Sequence, residues 1–344
     1  MTTKARYVHI DYLRAIATVG FIFTHVLSDN LGNPRINFLW NYMHFVVVGL
    51  VFCSAYVYAA AHESQKKLVY SFSWVKKRFL RLYVPFVIYL ATHYILWFIF
   101  PHIFHGYQIK RSWSFILSSL TLTGGIDIGW IPVLFLELSL IFPLLLVIAR
   151  RRKSRDILLI LLALATLLMT FFRVFDEYSR ALAWIPWSLV ALLGFIYFDA
   201  QKASAKFAKR LSIMTVGVMS IAWILLFMIL RGMHNRLTLT VHKYPPDLYF
   251  LSYGIAITAV LLLLLTKKYH KQSRLTDFTK FVSSQSYTIF FVQYIVLDMV
   301  ITNLRIGWFA QTLIVLALCL LGAYCWTKLL KLKLQRKAHK LTRT

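Results

Sequence analysis

The sequence predicts an all-α integral membrane protein: a single domain over residues 1–344, about ten transmembrane helices in one bundle, both termini cytoplasmic. Three observations carry that prediction. The chain is 59% hydrophobic and only 15% charged, with a mean hydropathy of +0.66, which excludes an ordinary soluble domain with a polar skin. Windows of about 20 apolar residues, enough to cross a hydrocarbon core of about 30 Å, recur roughly ten times, and runs such as "DILLILLALATLLM" lack the alternation of outer-membrane barrels. Finally, with the N-terminus inside, 29 Lys and Arg fall in cytoplasmic segments, 9 in outward ones, and Arg14 within a span, the asymmetry expected of cytoplasmic loops.

The elements follow in order. Spans 12–28 and 38–61 are joined by "DNLGNPRIN", whose Gly, Asn and Pro bend the chain at the outer surface; no small-residue cleavage site follows the first span, so it is expected to be retained. The basic stretch 62–81 leads into span 82–104. Segment 112–125, "SWSFILSSLTLTGG", is apolar but too short to cross, and counting it as a span would invert every later loop; it is expected to be an interfacial or re-entrant piece on the outer side. Spans 128–149 and 156–173 flank "RRRKSR". Spans 179–199 and 211–230 precede the outward loop "HNRLTLTVHKYPPD", and spans 246–266, 281–303 and 306–327 complete the bundle before the basic tail 331–344. The basic clusters read as topology signals and contacts to anionic membrane lipids, a stronger reading than nucleic-acid binding given where they sit. Cys53, Cys319 and Cys325 all fall in predicted spans without metal-ligand spacing and are assigned to packing; no metal is expected.

Four features carry chemistry. Arg14 and His25 are eleven residues apart on one helix, three turns plus about 20°, so they share a face about 16 Å apart along the axis. Arg14 either snorkels and pairs with Asp11, or faces a donor; His25 either bonds a neighbouring helix or takes a proton from a hydroxyl, with Asp29 at i+4 available to orient its ring. In "KKRFLRLYVP", Arg78 and Arg81 either stop transfer or form a guanidinium fork for phosphates of a cytoplasmic donor. Glu137, midway along a span, must be protonated, paired or turned to a polar cavity. Weaker signals are His44, Ser54, His93 and Asp298, which packing or helix contacts explain, and His242, Lys243 and Asp247, an outward turn or glycan contacts.

Together these motifs resemble the acyltransferase-3 family, multi-span acyl-CoA-dependent acyltransferases that modify cell-surface glycans. The family's "LDxLRxIA…H" first span corresponds to Arg14 and His25, its "FFLSG" to "LVFCSAY" with Ala55 for the glycine, and its "RxxRxxxP" to Arg78, Arg81 and Pro85. Its Trp-to-Glu element corresponds to Trp130 and Glu137, and its "SYxIYLxH" to "SYTIFFVQ", where Gln293 stands for the frequent histidine. A branch described as the poly-N-acetylglucosamine (intercellular adhesin) membrane protein shares "YLRAI". The resemblance implies a bacterial plasma-membrane O-acyltransferase, O-acetyl in kind, with acyl-CoA as donor substrate, no permanently bound cofactor, and a cell-surface or cell-wall glycan as acceptor. A glycan synthase complex is an implied partner. It implies catalytic roles for His25, Arg14 and Glu137, CoA-phosphate binding by Arg78 and Arg81, and substrate contacts from Asp29, Trp130 and Gln293. The rival is an exporter or flippase for a polysaccharide or lipid-linked glycan. A structural scaffold would leave Arg14 and Glu137 unexplained.

Overall fold

A computed structural model describes residues 7–64, 68, 70–172, 182–266 and 273–341; parts of predicted spans 156–173 and 179–199, and the end of the basic tail, lie outside the described residues. The helices are α1 Val8–Ser28, α2 Pro34–Met43, α3 Phe45–Ala61, α4 Phe72–Ile99, α5 Trp113–Leu120, α6 Trp130–Ala149, α7 Arg152–Phe171, α8 Trp184–Ala203, α9 Ala205–Gly232, α10 Leu248–Thr266, α11 Arg274–Asn303 and α12 Trp308–Leu341. Among the described residues nine segments are long and apolar enough to cross a membrane, the α2–α3 pair counting as one. The protein is an all-α integral membrane protein.

Predicted span 179–199 becomes α8, which is 20 residues long but falls short in apolarity because Asp199, Gln201 and Lys202 close it. It needs less apolar surface because it faces protein: Trp187, Val190, Leu192, Phe195 and Phe198 are buried where α8 packs on α3, α6, α7 and α9. Gly194 permits that closeness. A Cβ there would lie 2.9 Å from the Phe52 carbonyl and 3.0 Å from the Ala55 Cβ, so the small residue sits on α8 while α3 carries Ala55. The second layer centres on α1, which packs against α3, α10, α11 and α12 and has two thirds of its span buried, against 11% for the peripheral α9.

Segment 112–125 does not form a spanning helix; it holds the short α5. Tyr94 donates to the Lys110 carbonyl and Tyr83 to the Leu120 carbonyl at 2.8 Å, so α5 descends beside α4 across a rise of about 16 Å and turns back.

Polar clasps hold both ends. At the end with the basic loops, Arg150 bonds Asp199 at 2.8 Å and the Glu63 carbonyl at 3.0 Å, and Lys202 pairs with Glu63, tying α3, α6 and α8 together. At the opposite end, the fully buried Asp298 accepts from His93 Nε2 at 2.8 Å and from the backbone N–H of His105 and Gly106 at 3.0 and 2.9 Å. Asp298 thereby draws loop 100–112 onto α4 and α11, with Gly106 taking a left-handed φ of +78° that a side chain would strain. His242 donates from Nε2 to the Arg236 carbonyl at 2.8 Å, and its Nδ1 shares a hydrogen bond with the Asp247 carboxyl at 2.5 Å. Asp247 in turn caps α10 through the Phe250 N–H. His93, Asp298, His242 and Asp247 are therefore engaged in holding outer loops.

Candidate active site

The first half of α1 opens on a cavity of about 710 Å³, walled by α1, α3, α4, α6 and α11. Its cations are Arg14, Lys77, Arg78 and Arg81, and among the described residues no Asp or Glu lines it. The α4 helix delivers three of them because Ser71 caps its start, accepting from the Trp74 N–H, so the helix begins at Phe72 and carries Lys77, Arg78 and Arg81 on its first turns. Arg78 is braced rather than neutralised: its guanidinium lies 5.5 Å from the Trp74 ring centroid and 5.8 Å from that of Tyr58. Arg14 projects from α1 into the same space with no hydrogen bond or ion pair from its guanidinium to the described residues. The Asp11–Arg14 pairing is not formed; Asp11 accepts from Ser283 at 2.6 Å instead.

Hydroxyls continue the wall. Thr18, Ser54, Ser139, Ser283, Ser284 and Ser286 line the cavity, and Gln293 and Phe21 lie where it approaches the second half of α1. The run "SSQSY" on α11 is the sequence signal for this polar stripe, of which the family motif took in only Ser286 and Tyr287 and left out Ser283 and Ser284.

His25 stands just beyond Gln293. Its Nδ1 lies 2.8 Å from the Phe21 carbonyl, its Nε2 lies 2.6 Å from the Tyr294 hydroxyl, and the Gln293 amide is 3.4 Å from Nδ1. The expected Asp29 partnership is not formed. Asp29 follows the end of α1, accepts from Tyr107 at 3.3 Å, and has its carboxyl pushed up by burial, with the Tyr107 and Ser28 hydrogen bonds acting the other way. The residue that the sequence reading missed is Tyr294, one position past the end of the recognised motif.

Two further expected site residues are placed elsewhere. Glu137 is not in the cavity wall: Ile131, Phe135, Ser139 and Phe142 form that face of α6, and a residue two positions from Phe135 lies about 200° round the helix. Its carboxylate faces the Trp184 backbone at the start of α8, with Oε2 buried and unpartnered among the described atoms. Trp130 belongs to an outer cluster, its ring 5.1 Å from that of Tyr244 and 5.5 Å from the Lys243 ammonium, which is 4.8 Å from Tyr244. Burial pulls Lys243 down to about 8, opposed by the charge of Asp127, and the Lys243 charge reaches both His25 and His44.

The family model for an acyltransferase domain, acyltransferase-3, matches residues 7–328, nearly the whole chain. The chain belongs to the acyltransferase-3 family. No curated protein and no solved structure shows significant similarity to it. As a member, it is a multi-pass membrane acyltransferase, transferring groups other than amino-acyl groups, and the Arg14–His25 helix, the Arg78–Arg81 mouth and Gln293 all lie within the matched region.

Proposed function

We propose that this acyltransferase takes an acyl group, acetyl in the first instance, from a CoA thioester in the cationic cavity and delivers it to a glycan hydroxyl approaching from the outer side, in a bacterial plasma membrane. The observation that carries the reading is the cavity itself: four cations, no carboxylate among the described residues, and a polar wall leading to the neighbourhood of His25. Arg78 and Arg81 bind the donor phosphates, since guanidinium groups grip phosphate bidentately. Hydroxyls along α11 hydrogen-bond the amides of the pantetheine arm. His25 is the general base, with its tautomer set by Phe21.

The spacing assigns Arg14 to the donor. A carbonyl reacting beside His25 is about 16 Å along the helix from the Arg14 backbone, too far for one side chain to steady the oxyanion as well. The acceptor is a cell-surface polysaccharide or cell-wall glycan, as in the adhesin-polysaccharide branch that shares "YLRAI", and a glycan synthase complex is the corresponding partner. Trp130, Tyr244 and Asp29 lie on the acceptor side.

Full-length protein in proteoliposomes, given labelled acetyl-CoA and oligo-N-acetylglucosamine, tests this. Wild type releases free CoA and labels the sugar, and His25→Ala does neither. Glycan movement across the vesicle without donor consumption would instead establish the exporter.

A further inference from the structure

The lone pair that His25 would use as a base is already occupied. The Phe21 carbonyl can only accept, so the 2.8 Å contact places the ring proton on Nδ1. Nε2 then holds the lone pair, and at 2.6 Å the Tyr294 hydroxyl donates into it. An acceptor hydroxyl therefore reaches this base only if Tyr294 leaves or takes part.

Leaving is sterically opposed. Tyr294 is 2% exposed, and its ring is enclosed by the rings of His25 at 5.0 Å, Phe290 at 6.1 Å, and Tyr89 and Tyr107 at 6.4 Å each. Swinging it aside would open a void in a close-packed interior. Its neighbours also face the acceptor side: Tyr107 is on the outer loop that bonds Asp29, and Asp127 and Tyr244 of the outer cluster lie within electrostatic reach of the Tyr294 oxygen. Gln293 beside it lines the donor cavity. Tyr294 thus contacts the base directly and adjoins both the cavity wall at Gln293 and the outer loop at Tyr107.

We propose that Tyr294 is a catalytic relay, its phenol oxygen receiving the acceptor's proton as it passes its own to His25 Nε2. This rests on the proposed acyl transfer from CoA. In the forward step the acceptor oxygen forms its bond to the thioester carbonyl carbon, the acceptor proton moves to Tyr294, and the Tyr294 proton moves to His25. The C–S bond then breaks, the CoA sulfur leaves with the electron pair, and the proton returns through Tyr294 to give free CoA thiol. Products are the glycan ester and CoA–SH, with the enzyme restored. The relay explains how a base without a carboxylate partner acts: the phenol shortens the path while Phe21 alone fixes the tautomer.

The test is Tyr294→Phe in the full chain, which keeps the ring packing and removes one oxygen. With acetyl-CoA and oligo-N-acetylglucosamine, kcat should fall by about 10²-fold or more while the KM for acetyl-CoA is unchanged. Replacing Tyr294 by 3,5-difluorotyrosine, a more acidic phenol, should restore turnover and move the pH–rate profile toward acid, which a packing role would not do. A kcat for Tyr294→Phe within about threefold of wild type, with His25→Ala inactive, overturns the relay. ¹⁵N-histidine spectra in nanodiscs separate the two layers of the argument. If wild type consumes no acetyl-CoA, the donor reading and the relay with it both fall, while a His25 Nε2 resonance that shifts in Tyr294→Phe still establishes the bond. An unshifted resonance removes the bond and the relay whatever the donor.

Discussion

The two halves of α1 are built on opposite principles. Toward its first residues, Arg14 faces a cavity shared with Lys77, Arg78 and Arg81, and among the described residues no carboxylate lines that wall. Toward its last, His25 has Phe21, Tyr294 and Gln293 all within hydrogen-bonding distance. Clustered like charges repel and are costly to hold in low dielectric, so this wall favours water or an anion. In the second half the His25 ring has a partner at each nitrogen, Phe21 and Tyr294, while the Gln293 amide oxygen is buried and unpartnered among the described atoms. A binding region is recognisable by what it leaves unsatisfied, and a preorganised chemical group by how fully its orientation is specified.

The sharpest way to break this comparison is to ask whether the two halves control different kinetic constants. Removing the base with His25→Ala should lower kcat by about 10²- to 10⁴-fold and leave the KM for acetyl-CoA within a small factor. Equal losses in donor binding would mean that His25 belongs to the donor site after all. At the other end, Arg78→Ala or Arg81→Ala alone should each raise the KM for acetyl-CoA by about 10- to 100-fold, the scale of losing one charge-assisted phosphate contact, with a smaller change in kcat. Substitution by Lys at either position should recover only part of that, because a point charge does not replace the bidentate fork. A donor KM that stays fixed would remove the phosphate assignment.

How much of this was legible in advance depended on whether the signal was periodic or positional. The bundle was readable because apolar length and basic-loop asymmetry are long-range patterns; α8 escaped the apolar criterion only because a central helix can spend residues such as Ser188 and Asp199 on protein contacts. Arg14 with His25, and Arg78 with Arg81, were readable as two pairs because helical spacing sets each one; that both open on one cavity shows only in the way α1, α4 and α11 wall it together. Glu137 was not, since its helix angle relative to Phe135 and Ser139 matters only once the cavity face of α6 is known. Asp29 offered the right spacing to His25, but the helix ends at Ser28 and the carboxylate goes to Tyr107. Tyr294 was invisible because its role depends on a contact between residues 269 positions apart. Ala55 read as a departure from the family's glycine, and Gly194 on the facing helix explains how the packing survives it.

The outer clasps extend the comparison from chemistry to stability. Asp298→Asn should cost about 1.5–3 kcal/mol, since a buried carboxylate accepting from His93, His105 and Gly106 loses its charge-assisted bonds. Thermal unfolding in detergent reads this. The donor KM should not follow, because these residues touch the outer loop and none of them lines the cavity; a shifted KM would show that the outer loops and the donor mouth are coupled.

The smallest effect concerns Lys243, whose ammonium sits over Trp130 and Tyr244 and is pulled down to about 8 by burial. Its ordinary value is 10.5. Between those two values the unfolded chain binds more of this proton than the folded one, so this group makes stability increase with pH across that window; the cost of burying the charge is fully present below about 8 and is relieved as the lysine becomes neutral. Wild-type unfolding temperatures measured from pH 7.5 to 10 should therefore carry an upward component that Lys243→Met lacks, the difference between the two curves isolating this lysine from the other groups titrating there. Parallel curves would place the ammonium in water. A converging pair would mean that the outer cluster encloses a cation which the bundle tolerates at neutral pH, held by two aromatic faces and Asp127 close to the base on which transfer depends.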